Sequence, residues 1–176
     1  MIPSQRSHLL ISTATHEGMS GKNNEDRFGV FTYQRSANDP TQMVLAVLCD
    51  GIGGHRAGEV AAELAVKTIN EAVASSQADQ PLATLRQGFL DASQAIVDQA
   101  GQDTERRGMG ATCVCVWVIA DRLYTAWVGD SRLYLLRGGA IRQLTTDHTW
   151  IQEALDYGLL TPEQAVKHPN QHVIRR

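Results

Sequence analysis

The order of secondary-structure signals predicts an α+β fold in which two sheets pack on each other with helices outside. Three observations carry this. Strand patterns come first, two amphipathic helix patterns follow, and a strand meander closes the chain, so helix and strand do not alternate as in a doubly wound fold. The longest strand patterns, Met43 to Cys49 (MVLAVLC) and Ala111 to Ala120 (ATCVCVWVIA), are apolar on both faces and need cover on both sides. The chain of 176 residues has room for one domain, 1–176, with a core large enough to need no disulfide or structural metal.

Along the chain, Leu9 to Thr15 (LLISTAT) and Phe28 to Tyr33 (FGVFTY) are rich in β-branched, aromatic and other apolar residues and read as strands. Between them lies a polar stretch, Glu17 to Asp26, and Ser36-Ala37-Asn38-Asp39-Pro40 is a loop. After the buried strand at Met43 to Cys49, Val60, Ala61, Leu64, Ala65, Ile69, Ala72 and Val73 recur at helical spacing. Leu82, Leu85, Phe89, Ala92, Ile96 and Val97 do the same, and each helix should cover a sheet or the other helix. Strands follow at Ala111 to Ala120, Leu123 to Val128, Leu133 to Arg137 and Ala140 to Leu144, the last two joined by a Gly138-Gly139 hairpin turn. Thr161-Pro162-Glu163-Gln164 carries a capping box with Pro at the first helical position, so a short helix starts there.

Composition narrows the function classes. With 16 Lys and Arg against 19 Asp and Glu, the net charge is −3, and no basic run offers a nucleic-acid footprint. No stretch is apolar for the roughly 18 residues of a membrane span, and the N-terminus lacks a signal core. Cys49, Cys113 and Cys115 all sit in apolar runs and read as buried thiols of a reducing compartment. The expected setting is cytoplasmic, without nucleic-acid or membrane partners.

The most informative segment is Asp50-Gly51-Ile52-Gly53-Gly54-His55-Arg56-Ala57-Gly58-Glu59. A carboxylate at the end of a buried strand is followed by glycines that let the backbone turn and bring a carbonyl close to whatever the carboxylate holds. Carboxylate and carbonyl oxygens suit a hard cation such as Mg²⁺ or Mn²⁺; by itself the segment also suits a helix-capping turn. Asn24-Glu25-Asp26 offers two adjacent carboxylates at a strand entrance, and read alone such a segment is more often an ordinary polar turn. Val128-Gly129-Asp130-Ser131-Arg132 repeats the pattern of strand, glycine and aspartate, and it also suits a tight hairpin capped by Asp. Asp147-His148 reads as a solvated loop pair.

Together with Gly108-Met109-Gly110-Ala111-Thr112, these segments stand in the order and approximate spacing of the metal-dependent protein phosphatase family, of the protein phosphatase 2C-like bacterial branch, which the chain resembles over nearly its whole length. Leu144 to His148, Thr161 to Ala165 and His168-Pro169 are similar to that family's segment leading into its flap. The resemblance implies a four-layer α-β-β-α sandwich of two mainly antiparallel sheets flanked by helices. It implies hydrolysis of phosphoserine and phosphothreonine in proteins that are substrates of serine/threonine kinases, at a centre of two Mn²⁺ or Mg²⁺ ions with a third, weaker one. By position, Asp50 would bridge both metals, the Gly51 carbonyl would bind one, and Glu25 and Asp26 would hold that same metal directly or through its waters. Asp130 would help bind the third ion, and His55 matches the general acid for the leaving alkoxide.

Two features depart from the family pattern. Members carry an arginine five residues before the Asp of the N-E-D motif; here that position is Gly21, with Lys22 beside it as the substrate-phosphate candidate. Lysine offers a point charge without the bidentate fork of arginine. The family's catalytic domain also continues beyond the position matching Arg176, through D-G and D-N motifs that carry two further Asp ligands. Residues 1–176 are therefore expected to be the N-terminal part of one such domain, its C-terminal part missing, with weakened metal binding and little turnover alone. A non-catalytic pseudophosphatase or phosphoprotein-binding module is the rival expectation, favoured by Gly21 and the absent carboxylates. A cation-dependent hydrolase of small phosphomonoesters is the third.

Overall fold

The computed structural model describes residues 1–5, 7–19, 23–53, 57–171 and 173–175. They form two compact units, Met1–Ala126 and Trp127–Arg176. The class is α+β, with two antiparallel sheets and helices.

In the first unit β1 (Ile2–Pro3), β2 (Asp26–Gln34), β3 (Gln42–Ile52), β5 (Cys113–Ile119) and β6 (Arg122–Val128) lie side by side in that order, and β4 (Gly110–Ala111) pairs with the end of β3. β2 and β3 form an antiparallel hairpin whose pairing runs from Gln34↔Gln42 to Asp26↔Asp50. The connecting loop sets this register. Asp39 Oδ1 accepts from the Thr41 amide (3.0 Å) and hydroxyl (2.6 Å), while the Ser36 amide donates to the Asp39 carbonyl (3.0 Å). The Thr41 hydroxyl and amide hold the Asp39 carboxyl below its ordinary range. A short-range Asx turn thus decides which residues meet nine positions away.

Two helices, α1 (Ala57–Ser75) and α2 (Pro81–Gln102), follow β3. α1 packs on β2 and β3, and α2 packs on α1, so the expected stripes bury in sequence: sheet, helix, helix. Strand alternation turns Tyr33, Met43, Leu45, Val47, Cys49, Cys113, Cys115 and Trp117 toward α1, and all of them are buried. Gly29 lets α1 lie close on β2: a Cβ there would stand 2.9 Å from Val66 Cγ1. Gly88 does the same between the helices, where a Cβ would meet Ala72 Cβ at 3.2 Å.

Three expectations change. β3 is fully buried only on its helix face; on the other, exposure rises from Val44 (3%) to Leu48 (43%), beside exposed Phe28 and Val30. Leu9 to Thr15 forms no strand, and Leu10 is fully exposed. The edge of β2 that could pair with it is taken by Ile2 and Pro3, and the Ser4 amide extends that contact to the Thr32 carbonyl (2.8 Å). A strand-like composition gains nothing without a ladder partner. The Ala111 to Ala120 strand is broken at Thr112 into β4 and β5.

The second unit holds the hairpin β7 (Tyr134–Arg137) and β8 (Ala140–Gln143), closed by Gly138 and Gly139 with φ of 58° and 78°. Positive φ at both turn residues matches the primed turn that strand twist prefers. Helix α3 (Trp150–Asp156) is capped by Thr149, whose side chain accepts from the Gln152 amide, and α4 (Pro162–Ala165) shows the expected Thr161–Gln164 capping box. No helix among the described residues is long and apolar enough to cross a membrane.

All three thiols are buried and free. The hydrogen-bonded Cys49 thiol and then burial raise Cys113 well above the ordinary thiol range, and burial pushes Cys115 up to about 12. Since the thiolate is the nucleophile, native protein at pH 8 is expected to resist iodoacetamide at Cys113 and Cys115, whereas protein in guanidinium takes up three labels by mass spectrometry. Rapid native labelling at either position would show that the β3–β5 core opens.

Candidate metal centre

The candidate ligands gather where β2 begins and β3 ends. Antiparallel register sets Asp26 opposite Asp50, so their side chains share the sheet face away from α1. Like charges placed directly opposite destabilise a sheet unless a cation lies between them. Asn24 prepares the strand entrance: its Oδ1 accepts from the Asp26 amide (3.0 Å) and its Nδ2 donates to Thr15 Oγ1 (2.8 Å). Arg27 donates to the carbonyls of Asn24 (3.1 Å) and Asp26 (2.7 Å) and forms an ion pair with Glu59 in the first turn of α1. Neither Asn24 nor Arg27 stands out in the sequence as a support; the Asx position of Asn24 two residues before Asp26 is the one signal available.

Glu25 and Gly51 sit on the other side of the strand ends, against α1. The Gly51 amide donates to the Glu25 carbonyl (3.3 Å). A Cβ on Gly58 would lie 2.9 Å from the Gly51 carbonyl oxygen and 2.9 Å from the Glu25 carboxyl carbon. A Cβ on Gly51 would come within 2.1 Å of the Gly58 carbonyl oxygen. Only two glycines let the helix start approach this closely, and that approach brings the Glu25 carboxylate beside the Gly51 carbonyl.

The structure therefore brings Glu25, Asp26, Asp50 and Gly51 to one end of the sheet. Among the described residues, no three His, Cys, Asp or Glu side chains stand close enough together to hold an ion. Strand alternation is the reason, because it divides Asp26 and Asp50 from Glu25. The all-oxygen donor set and the glycine-lined cradle fit a hard divalent cation. His55 and Lys22 lie outside the described residues.

Asp130 belongs to the second unit. It follows Gly129 (φ 92°), whose carbonyl accepts from the His148 amide (3.0 Å) and whose amide donates to His148 Nδ1 (3.3 Å). The His148 ring stacks on Trp127 at 6.2 Å. Asp130 lines a cleft of about 530 Å³ with Arg132, Asp147, Thr149 and Gln152. Arg132 Nε donates to both Asp147 oxygens (3.0 Å each) and Nη2 to Oδ2 (2.6 Å), which raises the arginine pKa. Asp147 and His148 are thus engaged supports of the Asp130 loop and not a solvated pair; adjacency in sequence does not reveal that their partners lie some fifteen to nineteen residues away.

Comparison with known proteins identifies the family. The chain is 36% identical over 169 residues to the protein phosphatase PhpP of Streptococcus pneumoniae, an alignment covering 94% of this chain and 66% of that protein. Its backbone superposes on the serine/threonine phosphatase Stp1 of Staphylococcus aureus with a TM-score of 0.78 at 32% identity, covering 97% of this chain and 68% of that one. It is also similar to the catalytic domain of the serine/threonine protein phosphatase PstP solved in complex with two manganese ions (TM-score 0.68, 34% identity, 84% of this chain and 60% of that one). The chain thus spans just under two thirds of the length of PhpP. Residues 15–154, which include every described candidate ligand, match the protein phosphatase 2C model, and the chain belongs to the protein phosphatase 2C family.

Proposed function

We propose that this protein hydrolyses phosphoserine and phosphothreonine esters in protein substrates, using divalent cations held at the Asp26–Asp50 strand pair. The observation that carries the reading is that pair, two carboxylates set face to face beside the Glu25–Gly51–Gly58 cradle in a chain of this family. Asp50 would bridge two ions and the Gly51 carbonyl would bind one of them; Glu25 and Asp26 would hold that same ion directly or through its waters, and Asp130 would help bind a third. When bound, Mn²⁺ or Mg²⁺ supplies charge neutralisation for the transferring phosphoryl group and acidifies a water. Lys22 supplies a positive point charge for the substrate phosphate. As a water oxygen bonds to phosphorus and the P–O bond to the seryl or threonyl oxygen breaks, His55 would give its proton to that leaving oxygen. The Asn24 turn and the Arg27–Glu59 pair hold the carboxylates in place from behind. Substrates would be phosphoproteins made by serine/threonine kinases of a bacterial signalling system, and three buried thiols support a reducing cytoplasmic setting.

Asp50→Asn removes the charge that faces Asp26. Calorimetric titration with Mn²⁺ and turnover of a phosphothreonine peptide are expected to show at least about a hundredfold loss of affinity and no residual hydrolysis. Hydrolysis that persists in EDTA or in the variant would overturn the metal assignment. Phosphopeptide binding that needs no Mn²⁺ and survives Asp50→Asn undiminished would instead support a phosphoprotein-binding module.

Gly58→Ala tests the cradle. The new methyl must displace Gly51 or Glu25, so Mn²⁺ affinity is expected to fall about tenfold or more. Gly101→Ala in α2, where a Cβ meets nothing within 4 Å, is expected to bind as wild type. Unchanged affinity in Gly58→Ala would remove Glu25 and the Gly51 carbonyl from the site.

A further inference from the structure

Gly108-Met109-Gly110-Ala111-Thr112 is a sequence motif to which the reading above gives no role. Its last residue interrupts the ladder between β4 and β5 and is 1% exposed. Pairing on either side, Leu48↔Val114 and Gly51↔Ala111, puts Thr112 directly opposite Asp50. In an unbroken antiparallel ladder two such residues exchange both backbone hydrogen bonds or neither. Here one bond is regular, the Thr112 amide donating to the Asp50 carbonyl at 2.8 Å. The other is replaced, with the Asp50 amide donating to Thr112 Oγ1 at 3.2 Å.

We propose that Thr112 is a positioning residue for Asp50. Its hydroxyl stands in for a backbone carbonyl, so one buried residue grips both peptide groups of Asp50, amide and carbonyl. The side chain of Asp50 then projects from a backbone held on two sides: by β2, where Asp26 faces it, and by Thr112. The strand can break its regular pairing at this point without freeing the carboxylate. Burial of Thr112 keeps water from competing for the Asp50 amide, which strengthens the grip. The inference rests on the metal reading of Asp50, and it adds a residue that touches neither ion nor substrate.

Thr112→Val keeps the side-chain shape and removes the acceptor, whereas Thr112→Ser keeps the acceptor. Two readouts follow: Mn²⁺ affinity by calorimetry, and hydrogen exchange of the Asp50 amide by NMR in metal-free protein. Thr112→Val is expected to lose about tenfold in Mn²⁺ affinity, the low end for a supporting partner of a metal ligand, and to speed Asp50 exchange by about tenfold with Leu48 unchanged. Thr112→Ser is expected to restore both to within about threefold of wild type, although its lost methyl lowers the melting temperature. A merely structural role would make both variants less stable and leave affinity alone. Wild-type affinity and exchange in Thr112→Val would overturn the proposal. If that variant does not fold, an Asp50 amide in the wild type that exchanges as fast as that of Leu10, which lies in no strand and is fully exposed, overturns it equally. Asp50→Asn that binds Mn²⁺ as wild type would overturn the metal reading itself, an outcome distinct from a failure confined to Thr112→Val.

Discussion

Everything at the candidate centre depends on the register of β2 against β3. Nine consecutive pairs, from Gln34↔Gln42 to Asp26↔Asp50, tie a short loop at one end to two carboxylates at the other. A slip of one residue would send Asp50 to the helix face and bury it against α1. The hydrophobic pattern forbids this slip, because Met43, Leu45, Val47 and Cys49 would then face away from α1. The core and the acidic pair are thus two consequences of the same alignment, and the burial of one holds the strained electrostatics of the other.

The approach of α1 is the second constraint. A helix whose buried face is largely Ala and Gly near its start can lie close to the strand ends, and Gly51 and Gly58 remove the last obstruction. Bulkier residues, Val66, Ile69 and Val73, fill the wider space further along the helix. α2 is bound through α1, with Gly88 at the crossing and Leu85 and Ala92 buried, while Leu82 and Val97 of its apolar stripe stay exposed. The candidate-site end of the first unit is where backbone meets backbone; the opposite end is where side chains supply the packing.

The second unit is organised around polar contacts. The Arg132–Asp147 fork, the Gln143 amide donating to the Thr145 carbonyl (2.9 Å) and the His148–Gly129 clip all converge on the turn that carries Asp130. The Leu133 amide donates to Thr145 Oγ1 (3.2 Å), so the segment after β8 is stitched back onto the start of β7. Little apolar area is buried here: β8 is exposed throughout. The local geometry of Asp130 therefore rests on charge-assisted and ring contacts more than on hydrophobic burial.

By itself the sequence determined the order of elements, the helix-facing core and the oxygen chemistry of the candidate site. These are written in local periodicity, in the glycines after Asp50 and in the capping residues at Thr161 and Pro162. Helix α3 was also legible, since Thr149 stands three residues before Gln152, but its weak apolar stripe hid it. Tertiary structure alone decided that Leu9 to Thr15 has no ladder partner, that Asp26 meets Asp50 across a strand pair, and that Glu25 turns to the helix side. It also decided that Asp147 is bound by Arg132 and that Thr112 holds Asp50. Each of these is a pairing between residues distant in sequence, set by which strand edge is already occupied and by the closeness a glycine permits, and no local pattern encodes it.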